Sequence, residues 1–333
     1  MKYQEILYKG SQILRANNIK SSNLDCELIL SKVLNKTREE ILINLNNKIN
    51  KSQKNKFAFY LNKRRNNNPI SYILGFKFFW KYKFYINKST LIPRPESEHL
   101  IEQALKFIPN GKSINILDIG TGSGCLIISL LKERLKCLAT AIDISKEALK
   151  VAEFNAKLHH LENKIKFLNI DIDKFNANKY DLIISNPPYI NKVDLNRLDN
   201  DVRLYEPKLA LYGGTTGFEE IKKIIVNSYK LLKFNGKLII EIGYKQRNYT
   251  KKLLHKNGFY INKICKDFSG KDRCLVSTKI NKWIIIKIIS EEADLNPMGI
   301  EILEEIDLSP VAIGTLEKEM EMDIKLMENL IIV

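Results

Sequence analysis

The chain of 333 residues predicts an α/β protein, a parallel sheet with helices on both faces that ends in an antiparallel strand pair and follows a small helical domain. Three observations predict it. Residues 3–74 read as several short helices, with apolar positions at helical spacing. From residue 114 onward short apolar runs alternate with helical patterns. A glycine-rich loop, Gly120-Thr121-Gly122-Ser123-Gly124, joins the first of those runs to the helical stretch that follows it.

In the helical part, Ile6/Leu7 and Ile13/Leu14 recur seven residues apart, and Leu24, Leu28 and Ile29 fall on one helical face. Thr37-Arg38-Glu39-Glu40 ahead of Ile41 and Leu42 has the form of a capping box. Residues 51–65 put Phe57, Tyr60 and Leu61 on one face and Lys54, Lys56, Lys63, Arg64 and Arg65 largely elsewhere, which reads as a solvated face rather than a binding stripe. Gly75 ends this region. Residues 76–86 alternate aromatics with Lys in the period of a strand or hairpin, and look like a linker.

Strands are expected at residues 114–119, 138–143, 165–169, 180–185 and 237–241. Two further runs, 259–265 and 274–278, lie too close together for a crossover helix and should pair antiparallel, for seven strands in all. The expected division is a helical domain at 1–74, a hairpin linker at 75–90, the α/β domain at 91–280 and a tail at 281–333 that does not continue the pattern.

Composition narrows the function classes. A 44% hydrophobic and 28% charged chain is that of a soluble globular protein. The formal net charge is +16, but residues 283–333 hold 3 Lys against 12 acidic residues, leaving residues 1–282 at net +25. So basic a body can seek nucleic acid or a ribonucleoprotein, and AT-rich codons would produce the same Lys surplus with no such partner. Five cysteines without a CxxC pair argue against a disulfide framework or a zinc site, and the expectation is no metal and reduced thiols in the cytoplasm. The N-terminus has no apolar core of signal-peptide length, and the Ile-rich run at 283–289 is too short to span a bilayer, so neither secretion nor membrane insertion is indicated.

The chemistry concentrates at strand ends. Asn186-Pro187-Pro188-Tyr189 directly follows the 180–185 run. Two successive prolines remove both backbone donors and leave a stiff turn that presents carbonyls. The Asn186 side-chain oxygen and the Pro187 carbonyl can accept the hydrogens of a planar NH2 group, and Tyr189 can stack on it. An ordinary strand-ending turn would use the same dipeptide.

Asp118, just before the glycine loop, would meet a cationic ligand and repel a pyrophosphate, which sets the loop apart from a dinucleotide turn. Asp143 ends the next run and can accept from both hydroxyls of a ribose, unless it caps the helix starting near Lys146. Asp171 can take an adenine amino group and Ile172 can lie on the ring; otherwise Asp171 is a surface loop acid. Together these residues describe a Rossmann-like S-adenosylmethionine methyltransferase acting on a planar nitrogen.

With Phe79-Trp80, Thr90-Leu91-Ile92-Pro93-Arg94-Pro95-Glu96-Ser97-Glu98, the glycine loop, Asn186 to Tyr189, Asp201-Val202-Arg203 and Tyr205-Glu206-Pro207, the chain resembles the release-factor glutamine methyltransferase family, also called PrmC or HemK, over about residues 3–280. The resemblance implies methylation of the glutamine nitrogen in the Gly-Gly-Gln loop of peptide-chain release factors. S-adenosyl-L-methionine would be held by Asp118, Gly120, Thr121, Gly122, Ser123, Gly124, Asp143, Asp171, Ile172 and Asn186. Asn186, Pro187, Pro188 and Tyr189 would grip the amide, with Arg94 and Glu96 also on the substrate side. Catalysis would come from orientation and acceptor dipoles rather than from a strong base, and the helical domain would help dock the release factor. Neither a stable nucleic-acid partner nor a membrane is expected.

Two features depart from the family. Ile172 stands where relatives often carry an aromatic, so stacking on the adenine is weaker. Residues 281–333 are too short for the tRNA methyltransferase domain that follows in some relatives, and read either as a remnant of a truncated or frame-disrupted domain or as a C-terminal extension. Two rival readings are an adenine amino-methyltransferase for DNA or RNA, which NPPY would serve by the same acceptor logic, and a non-catalytic module that binds cofactor and release factor.

Overall fold

The computed structural model describes residues 1–177 and 179–280. The expected tail lies outside the described residues.

Five helices form the N-terminal unit: α1 (Tyr3–Ala16), α2 (Ser22–Leu34), α3 (Arg38–Ile43), α4 (Lys51–Arg65) and α5 (Ile70–Leu74). The capping box at Thr37 is present, with the Thr37 hydroxyl accepting from the Glu40 amide at 3.2 Å and Glu40 accepting from the Thr37 amide at 2.6 Å. Asn50 and Gln53 repeat this arrangement at the start of α4. Tyr3, Ile6, Leu14, Cys26, Ile29, Leu30, Ile41, Phe57, Leu61 and Ile73 share one core. Gly10 brings α1 close to its neighbours, since a Cβ there would lie 3.0 Å from the Cys26 sulfur and 3.1 Å from the Phe57 ring.

The reading of α4 as a solvated basic face needs one correction. Arg64 is buried with Phe57 and Leu61. Its Nε donates to Asp25 at 2.7 Å, and the two side chains are only 8% and 2% exposed. Asp25 also accepts from the Ser21 hydroxyl. Helical spacing places Arg64 one turn beyond Tyr60 and Leu61, and only the tertiary partner on α2 shows that its charge is matched.

The hairpin, β1 (Phe76–Phe79) and β2 (Tyr82–Tyr85), pairs Phe76 with Tyr85 and Phe79 with Tyr82. It is more than a linker. Phe79 and Phe84 are fully buried in the core of the α/β unit. The Asn155 side chain clasps the Tyr85 backbone on both sides, accepting from its amide and donating to its carbonyl.

The main sheet contains β3 (Asn115–Ile119), β4 (Leu138–Asp143), β5 (Ile165–Asn169), β6 (Tyr180–Ser185), β7 (Leu232–Glu241), β8 (Phe259–Lys266) and β9 (Asp272–Lys279) in the order β5-β4-β3-β6-β7-β9-β8. Strands β3 to β7 are parallel and β8 pairs antiparallel with β9, as expected, while β9 also runs antiparallel to β7 and inserts between it and β8. β7 starts five residues earlier than the apolar run suggested. Asn235 has φ +60° inside it, and a register shift between Tyr180 and Leu182 lets Leu232 pair with Tyr180.

Successive strand side chains point to opposite faces, so each central strand feeds two cores. Ile116, Leu182, Ile184, Ile239 and Val276 pack with residues of α6 (Glu98–Phe107), α7 (Cys125–Glu133) and α8 (Lys146–Leu158). Leu117, Ile183, Leu238, Ile240 and Leu275 pack with residues of α11 (Glu219–Leu231) and α12 (Arg247–Lys256). Short helices α9 (Lys192–Leu195) and α10 (Asn200–Tyr205) lie between β6 and α11. No helix of the described residues is long and apolar enough to cross a membrane.

Removing one partner of a buried ion pair strands the other charge, at a cost of about 3–5 kcal/mol. Arg64→Leu is therefore expected to lower the unfolding free energy extracted from urea titration by that amount, with a correspondingly lower midpoint, and the double change Arg64→Leu with Asp25→Leu to recover most of it. An unchanged midpoint in the single variant would show that the pair contributes nothing.

Candidate active site

Strand β3 lies between β4 and β6, so the loops leaving β3 and β6 diverge to opposite sides and open a crevice at their carboxyl ends. A cavity of about 310 Å³ occupies it, within the range of small-molecule sites. The hydroxyl of Ser185, the last residue of β6, donates to the Ile119 carbonyl at 2.7 Å and ties the two strands at the cavity floor.

One wall is the glycine loop. Gly120, Thr121, Gly122 and Ser123 line the cavity. Gly122 has φ +56° with open space where a Cβ would stand, so the loop offers bare backbone to a ligand. Gly124 is different. A Cβ there would meet Ile128 at 2.9 Å and Ala152 at 3.2 Å, and the residue caps α7 outside the cavity wall. It packs α7 closely on α8 and, unlike the other residues of the loop from Gly120 to Ser123, does not line the cavity.

Asp118 also stands one layer behind the wall. It is fully buried, its Oδ2 accepts from the Thr121 hydroxyl at 2.7 Å, and its Oδ1 has no partner among the described residues. Burial pushes its carboxyl up to about 7, against the lowering effect of Thr121 and with a smaller rise from Asp143. Direct contact with a ligand is therefore not what the geometry provides; Asp118 acts on the cavity through Thr121 and through its charge.

Asp143 reaches the cavity. One oxygen accepts from the Gly122 amide at 2.9 Å and the other from the Ser145 amide at 2.8 Å, which fixes the carboxylate plane and leaves acceptor capacity on both oxygens. Burial raises its carboxyl while these two bonds pull the other way. It is not the helix cap: Ser145 caps α8 by accepting from the Ala148 amide. Asp171 and Ile172 line the far end, where Asp171 also accepts from the Asp173 amide to start a short 3-10 turn.

The opposite wall carries Asn186, Pro187 and Pro188. Asn186 Nδ2 donates to Ser97 Oγ at 2.8 Å, and that hydroxyl donates to Glu241 Oε2 at 2.6 Å. Tyr189 is not part of the wall. Its ring packs toward the α11/α12 core and its hydroxyl lies 3.3 Å from Glu241 Oε1. Burial and the Glu241 charge push the phenol well above its ordinary range. Glu241, at the carboxyl end of β7, is itself raised to about 7 by burial, despite the lowering effects of Ser97 and Arg273.

The two motifs around Ile92 and Glu206 meet. Buried Glu206 accepts from the Ile92 amide at 3.1 Å and pairs with Arg94 at 2.5 Å. Ser89, Thr90, Leu91, Pro93 and Arg94 thereby form a third wall, with Pro207, Leu209 and Tyr212 facing it. The Tyr72 hydroxyl donates to the Thr90 carbonyl and the Tyr205 hydroxyl to the Asn66 carbonyl, anchoring the helical unit to this wall. Glu96 does not line the cavity; its charge lies near Glu241. Ser97 and Glu241 were not singled out from sequence, since nothing local marks a Ser in an acidic turn or an acid at the end of an apolar strand as partners of Asn186.

Electrostatics select among ligands. Asp143, Asp171 and Glu220 line the cavity against one guanidinium, Arg94, which Glu206 already neutralises. A pyrophosphate would be repelled. The open backbone at Gly122, the fixed acceptors of Asp143 and the buried acid Asp118 behind Thr121 fit a ligand with a cationic end and vicinal hydroxyls, as S-adenosylmethionine has.

A family model described as PrmC N-terminal domain matches residues 5–75, and one described as Methyltransferase domain matches residues 110–298. A release factor glutamine methyltransferase of Buchnera aphidicola subsp. Baizongia pistaciae is 37% identical over 259 residues, covering 78% of this chain and 93% of that protein. One from Fusobacterium nucleatum subsp. nucleatum is 36% identical over 295 residues, covering 88% and 83%. A bifunctional methyltransferase of Rickettsia felis is 33% identical over 306 residues, covering 84% of this chain and 58% of its own length. The chain thus spans little more than half of that bifunctional relative and most of the other two.

A buried acid with a raised pKa binds its proton more tightly folded than unfolded, so its contribution to stability is present at low pH and is lost as pH rises from about 4 toward about 7. Asp118→Asn removes this loss. In thermal melts without ligand, the variant is expected to gain on the unsubstituted protein between pH 5 and pH 8; a difference independent of pH would contradict the burial argument.

Proposed function

The chain belongs to the release factor glutamine methyltransferase family, and from that premise we propose that it transfers a methyl group from S-adenosylmethionine to the side-chain nitrogen of the glutamine in the Gly-Gly-Gln loop of peptide-chain release factors, in the cytoplasm. The observation that carries this reading is the orientation of Asn186. Its Nδ2 is bonded to Ser97, so its carbonyl oxygen is the end left to face an acceptor. Two acceptors side by side, Asn186 Oδ1 and the Pro187 carbonyl, suit the two hydrogens of a primary amide, and the stiff Pro187-Pro188 turn holds them in place.

The cofactor supplies an electrophilic methyl on a sulfonium. Gly120 to Ser123, Asp143, Asp171 and Ile172 would hold it, with Asp118 contributing charge from behind Thr121. Asn186 and Pro187 would orient the amide nitrogen and favour the positive charge that develops on it, and the proton then leaves to water. An amide nitrogen needs this help because its lone pair is delocalised, so fixed acceptor dipoles and orientation are the main catalytic resources here. The helical unit would take part in docking the release factor.

Removing a dipole aimed at developing charge costs on the order of 100-fold or more in rate. Asn186→Ala is expected to lower transfer to a purified release factor by at least that factor, while cofactor affinity by calorimetry changes little. Peptide mass spectrometry of a co-expressed release factor should show one added methyl on the Gly-Gly-Gln peptide with the unsubstituted enzyme and none with the variant. Labelling of DNA or RNA instead of the release factor would overturn the assignment.

A further inference from the structure

We propose that Ser97 and Glu241 are positioning residues that set the polarity of the Asn186 amide, forcing its carbonyl oxygen rather than its NH2 group toward the methyl acceptor. The proposal deepens the preceding reading and rests on it for its kinetic test.

It follows from counting hydrogens along a buried chain. Ser97 and Glu241 are 3% and 2% exposed, with Ser97 at the cavity edge beside Asn186, so the chain's main hydrogen-bond partners are its own members. An ionised carboxylate only accepts, and Glu241 is approached by two hydroxyls, Ser97 at 2.6 Å and Tyr189 at 3.3 Å. Ser97 has a single hydrogen and gives it to Glu241. Toward Asn186 it can then only accept, at 2.8 Å, and the one group Asn186 can offer is NH2. Turning the amide over would set two oxygens against each other in a buried place, an arrangement disfavoured by roughly 10- to 100-fold.

Protonation of Glu241 breaks this logic. A carboxylic acid can donate to Ser97, which frees the Ser97 hydrogen for Asn186 Oδ1, and the amide can then turn. The groups facing Glu241 are Tyr189 from the loop after β6, Glu96 and Ser97 from the turn before α6, and Arg273 and Cys274 from β9. Burial raises its carboxyl to about 7, Arg273 pulls it down and Glu96 pushes it up. The carboxylate form, and with it the productive polarity of Asn186, is present above that point and lost below it.

In methyl transfer to a release factor, Ser97→Ala is expected to reduce kcat about 10- to 100-fold with cofactor affinity unchanged within about threefold, and Ser97→Thr, which keeps the hydroxyl, to restore most of it. The kcat of the unsubstituted enzyme should rise through pH about 7, and Glu241→Gln, which allows both amide orientations at every pH, should be slower and lack that limb. A nitrogen-15 spectrum of the Asn186 side chain, assigned by its loss in Asn186→Ala, tests the same chain without substrate: its NH2 signal should titrate with the Glu241 midpoint and cease to do so in Glu241→Gln. A signal that does not titrate in the unsubstituted protein, or Ser97→Ala with unaltered kcat and pH profile, overturns the proposal. Absence of release-factor methylation together with a titrating signal would instead refute the functional reading and leave the polarity device standing.

Discussion

Everything at the site depends on the parallel pairing of β3 with both β4 and β6. Parallel strands need crossovers, and because the crossover leaving β3 runs to β4 while that leaving β6 runs the other way to β7, neither covers the point between them. The crevice is a consequence of topology before any side chain is chosen. Its floor is stiff because β3 and β6 are buried on both faces, with Ile116 and Leu117, or Ile183 and Ile184, feeding separate cores. The glycine loop and the Asn186 turn therefore start from fixed positions, and a ligand between them meets walls that need little rearrangement.

Three buried carboxylates then convert loops into walls. Glu206 gathers the Ile92 amide and Arg94, Glu241 gathers Ser97 and Tyr189, and Asp118 gathers Thr121. Each bears a desolvation cost and recovers it only through donors held at short distance, so each selects one arrangement of its loop over the alternatives. Glu206 and Glu241 join segments more than a hundred residues apart in the chain. Other acids, Asp143, Asp171 and Glu220, line the cavity itself and give it a negative bias, which suits a cationic ligand and disfavours phosphates.

The helical unit and hairpin are bound into this arrangement. Phe79 and Phe84 complete the core beneath α6 to α8, and Asn155 holds Tyr85 while also donating to the Ser123 carbonyl at the base of the glycine loop. Tyr72 and Tyr205 link the helices to the Thr90 and Glu206 segments at the cavity rim. A partner engaging the helices thus has a mechanical connection to the wall formed by residues 89–94.

Most strand positions, the parallel run and the antiparallel closing pair, the Thr37 cap and the placing of Asp143, the glycine loop and Asn186 at strand ends were legible in the chain, because they follow from local periodicity and from turn chemistry, whereas the early start of β7 rests on a register shift against β6. What lay beyond it was set by partners distant in sequence. Arg64 reads as a surface cation until α2 brings Asp25 to it, Gly124 reads like the rest of its loop until α8 brings Ala152, and Asp118 reads as a wall until its burial is seen. Tyr189 and Ser97 are decided by Glu241, an acid at the end of an apolar strand whose neighbours no local pattern reveals. Sequence alone determined which groups stand at the carboxyl edge of the sheet. Only the tertiary structure decided which of them face the cavity and which hold the others in place, because that depends on hydrogen-bond partners supplied from elsewhere in the fold.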